Sequence, residues 1–445
     1  MKNISIFGTN SDAGKSTITF IIAKIIQDLG YSVAPFKAQN VSNNAMVADD
    51  GSEIAVAQYF QAEVLGIPTT YHLNPILLKS GRNSLASLIL NGKTITTKDV
   101  RQYYRDLDEL KPIVKTSFEK LDSQYECIVA EGAGSPVELN LMDKDLSNIY
   151  IATEFNTKII LVADIEKGGV FASIWGVYNL LPKKLRDNVI GVIVNKFRGD
   201  LTLFDNGIHI IEKEFGIPVL GVLPYIPFNL GFEDSQSLIN YKQQNSPNAK
   251  KIGVIAYPTM SNYNDFEPLI SDSNISIEFI RSNINLEQFE QIILAGSKLV
   301  MQDLAWLKDI GLFEQLQTIK IEILGICGGY EMMFENLIDN ENIESSQKSI
   351  KGLGLIDDNI IFQKEKIVKR GEYQIFGKRV KGFEIHHGVS KKYPLYYQKE
   401  NILGTFVHGI FDDDKFNEYK KRTIDSFVYD MKNRLNIKRI IEDVC

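Results

Sequence analysis

Rare side chains are few here: three cysteines, five histidines and two tryptophans in 445 residues. Cys127, Cys327 and Cys445 are too few and too scattered for a disulfide framework or a zinc cluster, which points to a reducing compartment. Positive charge is also lacking. Lys and Arg number 49 against 56 Asp and Glu, a formal charge of −7, so no global field exists to hold nucleic acid or an anionic membrane. Long apolar runs are missing as well. The stretch before the first glycines is too short for a signal peptide, and none of the rest reaches the ~18 apolar residues of a membrane span. A cytoplasmic protein with no nucleic-acid or membrane partner is therefore expected; a homo-oligomer is compatible with the sequence, which does not fix the number of copies.

What is present is ordinary globular composition, 44% apolar, 24% charged and 10% aromatic, in a chain long enough for two or three cores. Short apolar runs at 4–7, 32–36, 127–130, 158–163 and 189–194 alternate with helical patterns, beginning with 15–29. That is the pattern of an α/β fold with a parallel sheet. A polar, Gln/Asn/Ser-rich stretch then reads as a linker, and a second alternation follows with runs at 251–257, 291–296 and 321–327. The expected organisation is a first unit at 1–233, a linker at 234–250 and a second α/β unit at 251–445. Residues 339–348 read as a solvated surface loop.

Residues 8–17, GTNSDAGKST, follow an apolar strand and precede an amphipathic helix, which is the setting of a phosphate-binding loop. Gly8, Thr9, Asn10, Ser11 and Gly14 would wrap backbone amides around phosphate oxygens, with Thr17 in the first turn beyond. Lys15 would reach the outer phosphates, and the Ser16 hydroxyl would ligate magnesium. Five residues separate the two glycines, one more than usual. Magnesium also wants carboxylates at neighbouring strand ends, for which Glu131 and Asp50 are the candidates, with Asp164 a further one. Asn195 ends another strand, where its amide could read the adenine edge. The expected cofactors are ATP and Mg2+.

The run from Ile323 to Tyr330, ILGICGGY, stops an apolar strand at Cys327 and turns through Gly328 and Gly329 toward a helix expected at 331–336. Such an elbow lifts a thiol off the sheet and leaves amides free to hold an oxyanion, an arrangement for covalent catalysis. A thiolate wants a histidine. His408 is the first choice because it ends a strand and precedes Gly409; His386 and His387 are second. His72 and His209 read as surface or cap residues, Cys127 as a core residue and Cys445 as a tail thiol.

Taken together the motifs resemble the cobyrinic and cobyric acid amide synthase family along nearly the whole chain. The matching stretches are GTNSDAGKS, PFKAQNVSNN (35–44), EGAGSPVELNL (131–141), VADIEKGGVFAS (162–173), NKFRGD (195–200), YPTMSNYNDFEPL (257–269), GICGGYEMM (325–333), EIHHG (384–388) and GTFVHGIF (404–411). The resemblance implies a dethiobiotin-synthetase-like P-loop domain followed by a class I glutamine amidotransferase domain. It implies ATP-dependent, glutamine-fed amidation of the b, d, e and g carboxylates of adenosylcobyrinic acid a,c-diamide, in cobalamin biosynthesis. It also implies that Lys37, Gln39, Asn40 and Asn43 lie at the nucleotide and corrinoid site.

Two departures from the family pattern stand out. Ile410 occupies the position of the usual third triad residue, so a Cys327-His408 dyad or a third group from elsewhere is expected, with Glu384 and Asp412 as candidates. Glu331 replaces the usual Gln four residues after the nucleophile. The alternatives are the same chemistry on another carboxylate, such as the a,c-diamide step or a cell-wall precursor, and a partitioning-type P-loop ATPase. The last would carry a second lysine before Gly14 and no Cys-His half.

Overall fold

The computed structural model describes residues 1–80, 85–99, 107–226, 228, 230, 231 and 246–445. Most of the expected linker therefore lies outside the described residues.

β-branched runs build the first sheet, six parallel strands in the spatial order 219–224, 189–197, 158–164, 4–8, 127–131, 33–36. The strand Ile4–Gly8 is flanked by later strands on both sides, so a crevice opens at its carboxyl end, where an open α/β sheet takes its ligand. The chain leaves that end through the glycine-rich loop into the helix Lys15–Asp28. Ile18, Ile21, Ile22, Ile25 and Ile26 recur at helical spacing there and are buried against the sheet.

The second sheet also has six strands, in the order 275–280, 250–255, 291–294, 322–326, 402–405, 396–399. Only its last pair is antiparallel. Cys327 leaves the carboxyl end of Glu322–Ile326, beside the strand Ile402–Thr405 that delivers His408. A long hairpin, Ile356–Ile375 with Lys378–Val389, extends from this half to the first. Its Phe383 and Ile385 share a small apolar core with Ala45, Val47, Ala55, Leu77 and Ile89.

Three sequence expectations change here. The helix after Cys327 spans only Gly328–Glu331, and a strand, Phe334–Ile338, begins where the helix was expected to continue. Residues 339–348 are not a plain solvated loop: fully buried Asp339 accepts the backbone N–H groups of Ile343, Glu344 and Ser345 and winds the segment around itself. The end of the chain, expected with the second unit, packs on the first sheet. Phe416, Ile424, Phe427, Val428 and Met431 of the helix Asp414–Lys432 join the core of Ile18, Phe20 and Ile22. The following helix, Ile437–Val444, ties off through Lys2 N–H to the Val444 carbonyl at 2.7 Å.

Candidate functional site

Gly14 has φ +95°, and an added Cβ there would collide with the Asn195 amide. The loop is braced from the neighbouring strands: Asn195 Nδ2 donates to the Ala13 carbonyl at 2.9 Å and Lys196 Nζ to the Asp12 carbonyl at 2.6 Å. The amide nitrogen expected to read adenine thus serves the loop itself. Lys15 Nζ folds back onto the Asn10 carbonyl at 3.2 Å, closing the loop into a ring. Asp164 pairs with Lys196 at 3.1 Å, one strand away.

Glu131 is the hub of this end, 1% exposed at the carboxyl end of Cys127–Glu131. Its Oε1 accepts from the Ser16 hydroxyl at 2.8 Å and from Lys37 Nζ at 2.7 Å. Its Oε2 accepts from Gln61 Nε2 at 2.8 Å. A buried carboxylate needs such partners, and Lys37 neutralises it directly. Gln58 is bonded to Asn40 Nδ2 at 3.0 Å and, with Gln61, projects from one face of the helix Val56–Leu65.

Ser16 and Glu131 offer hard oxygens 2.8 Å apart, a set that fits magnesium completed by phosphate and water. Among the described residues no three His, Cys, Asp or Glu side chains converge into an all-protein metal cage. Asp50, the other expected ligand, is taken up by local structure. One oxygen accepts the Ser52 backbone N–H at 2.9 Å and the other the Tyr71 N–H at 3.2 Å. It is a turn residue, because a short carboxylate two residues before a free amide closes an Asx turn.

At the second site Cys327 has φ +50° and ψ −110°, a backbone strained for a side-chain-bearing residue. The elbow requires glycine after it, since a Cβ on Gly329 would overlap the Leu294 carbonyl. Cys327 shares a cavity of about 50 Å3 with His408. His408 is 1% exposed, and its Nδ1 sits 2.6 Å from Asp265 Oδ2, while Asp265 Oδ1 accepts the Gly409 N–H at 2.9 Å. Nε2 is buried with no hydrogen-bond partner among the described residues. Burial opposes a charged ring, but Asp265 and Cys327 outweigh it and hold the His408 pKa at about 10.

The same fold regions match known family models. Residues 4–230 match a CobQ/CobB/MinD/ParA nucleotide binding domain and residues 251–416 a CobB/CobQ-like glutamine amidotransferase domain. The cobyric acid synthase of Acinetobacter baylyi is 64% identical over 462 residues, spanning 100% of this chain and 99% of that protein. The probable cobyric acid synthase of Picrophilus torridus is 38% identical, with 94% and 92% covered, and the Clostridium botulinum enzyme 37%, with 94% and 90% covered. The chain belongs to the cobyric acid synthase family. It is a glutamine-dependent, ATP-using amide ligase of cobalamin biosynthesis. Among the described residues no helix is long and apolar enough to cross a membrane.

Within this cobyric acid synthase fold the expected residues fall into two groups. The P-loop, Glu131, Lys37 and Asn40 gather at the first sheet, where the Gln39 backbone bonds Ser147. Asn43, only a few residues along, lines the Cys327 cavity instead, and Asn44 Oδ1 accepts the Asn262 N–H at 2.8 Å. The polar stretch 37–44 thus runs from one site to the other.

The orienter candidates do not reach His408. Glu384 Oε2 lies 3.4 Å from His386 Nε2, and His386 stacks flat on Phe406, 3.9 Å between centroids. Asp412 folds onto the same turn through its backbone, and burial raises its carboxyl to about 7. His387 Nδ1 is 2.9 Å from the Gln363 carbonyl, and burial lowers its pKa to about 4. Asp265, which sequence reasoning passed over, takes the orienting position from 143 residues upstream. Glu331 is buried against Gly388, and burial, then Glu344 and Cys327, push its carboxyl well above the usual range. A protonated Glu has the shape and the donor-acceptor pair of Gln, which accounts physically for that departure. Cys127, whose thiol burial raises to about 12, is a core residue as expected.

Proposed function

We infer that the substrate is adenosylcobyrinic acid a,c-diamide and that its b, d, e and g carboxylates are amidated in turn, in the cytoplasm. The observation that carries the chemistry is the pairing of a braced phosphate loop around Lys15, Ser16 and Glu131 with a separate Cys327-His408-Asp265 relay in one chain. Carboxylates are poor electrophiles. A corrinoid carboxylate oxygen attacks the ATP γ-phosphorus, ADP departs, and the resulting acyl phosphate is open to ammonia, which displaces inorganic phosphate and leaves the amide. Lys15 stabilises the moving phosphoryl charge, the amides of residues 8–14 cradle the phosphates, and Thr17 and Asn195 support that loop. Ser16 and Glu131 would hold magnesium, whose contribution is to neutralise phosphate charge. Lys37, Gln39 and Asn40 face the corrinoid side of this crevice.

Ammonia comes from glutamine. Cys327 Sγ attacks the side-chain amide carbon while backbone N–H groups of Gly328 and Gly329 receive the oxyanion. His408 Nε2 carries the thiol proton to the departing ammonia, and water then hydrolyses the glutamyl thioester to glutamate. Asp265 fixes the ring so that Nε2 faces the thiol. Cys327→Ala should lose glutamine-dependent turnover and keep amidation with ammonium chloride, whereas Lys15→Ala should lose both. Glutamine-dependent activity in Cys327→Ala would overturn the nucleophile.

A further inference from the structure

Beside Cys327 the two halves of the chain exchange charge. Glu53 of the first unit is 0% exposed, with Oε1 2.6 Å from Lys79 Nζ of the same unit and Oε2 2.7 Å from Lys366 Nζ of the second unit's hairpin. Lys298 follows the strand Gln291–Leu294, next to Ser297, on which Gly328 packs. All three lysines line the cavity that holds Cys327 and His408. Glu53 answers two of these lysines, while burial and then Lys366 disfavour the charge on Lys298 and Glu344 favours it. Glu331 and Glu344 line the same cavity, where burial raises Glu344 to about 8 and Glu331 well above its usual range, just as it lowers Lys79 to about 8. Three lysines and two carboxyls around one cavity suit a ligand that carries both a carboxylate and an ammonium group.

Resting on the reading of the Cys327 cavity as the glutamine site, we propose that Lys298, Lys366 and Lys79 together receive the glutamine α-carboxylate, and that Lys79, fixed by Glu53, makes the ATP-binding unit an obligatory part of that site. Glu331 and Glu344 then face the α-ammonium. The glutamine pocket is complete only when the two units are docked, because the amidotransferase half alone lacks one of its three cations and the carboxylate that orders Lys366. Hydrolysis of glutamine is thereby tied to the unit that consumes the ammonia.

The test uses the full-length protein, with ammonia release measured on L-glutamine and on L-glutamine methyl ester, in which the α-carboxylate is blocked. Lys298→Met and Lys79→Met should each raise KM for glutamine about 10- to 100-fold, the worth of a hydrogen bond to a charged group. KM for the ester should hardly change, so the preference for the free acid collapses, and Lys79→Arg should restore much of it. Amidation with ammonium chloride reports folding. Should Lys79→Met lose that too, the Glu53→Gln/Lys79→Met pair, which removes both buried charges, carries the same readout. Folded variants with a wild-type KM and undiminished discrimination against the ester would overturn the proposal. Ammonia release from glutamine by Cys327→Ala would instead overturn the reading on which it rests.

Discussion

Replacing Asp265 by Asn tests the relay at its least obvious member. In the wild type Asp265 Oδ2 lies 2.6 Å from His408 Nδ1, both groups are buried, and Oδ1 holds the Gly409 N–H. An Asn side chain fits the same space and can keep the Gly409 bond through its oxygen, but its NH2 then points at Nδ1. The ring must then accept at Nδ1, so it gives up the proton that Asp265 holds there, and the neutral ring that remains carries its proton on Nε2, where it cannot accept another from the thiol. Losing a charge-assisted buried hydrogen bond costs about 1.5 to 3 kcal/mol, or about 10- to 150-fold in rate. The wrong tautomer carries the loss toward ~10⁴-fold. Because Asp265 lies behind the ring and not on the Cys327 cavity, the fall should appear in kcat for glutamine with KM little changed. Ammonium-driven amidation should persist. Coupled measurement of glutamate and ADP release at saturating glutamine and at saturating ammonium gives both numbers. A folded Asp265→Asn protein with wild-type glutaminase kcat would refute the orienting role.

Other consequences follow from the same geometry. Glu131→Gln keeps the shape but not the charge that Lys37 and Ser16 meet, so ATP turnover should fall with either nitrogen source, by about 10-fold or more, while glutaminase activity survives. Phe427→Ala removes a ring stacked on Phe228 at 4.5 Å between centroids; urea denaturation should show a loss of about 3 kcal/mol, and a neutral result would mean the C-terminal helix is no part of the first core. Stability should also depend on pH in a stated direction. Lys366 and Lys79 hold the Glu53 carboxyl well below its usual range despite its burial, so its contribution is present above the ordinary carboxylate pKa and lost on acidification. His408 titrates above its unfolded value, so its contribution is full below about 6.5 and is lost as pH rises through about 10. In Asp265→Asn the alkaline decline of the urea midpoint should flatten.

The parts legible in the sequence were those where chemistry and local structure coincide. The phosphate loop announces itself because glycine, lysine and serine must follow a strand and open a helix, and the elbow because Cys327 ends an apolar run before two glycines. Charged groups brought in from far along the chain were not legible. Asp265 sits in a single turn, Tyr263–Phe266, with no periodicity to mark it, and reaches His408 only because the strands 250–255 and 402–405 end on the same side of one sheet. Gln58 and Gln61 look like ordinary polar positions on a helix until the helix packs against Glu131. Asp50 differs from these, since an Asp before Gly-Ser closes its own turn, and here its carboxylate accepts the Ser52 and Tyr71 N–H groups. The C-terminal helix was assigned by continuity along the chain, whereas its apolar face, Phe416, Ile424, Phe427, Val428 and Met431, buries itself against Ile18, Phe20 and Ile22 of the first unit.

The most direct measurement incubates the purified protein with adenosylcobyrinic acid a,c-diamide, ATP, magnesium and glutamine, and follows product mass beside ADP release. Stepwise replacement of hydroxyl by amino at four carboxylates, with ATP turnover stimulated by the corrinoid, is the predicted result. An unchanged corrinoid mass with both glutamine and ammonium, from protein that still hydrolyses glutamine, would contradict the assigned substrate.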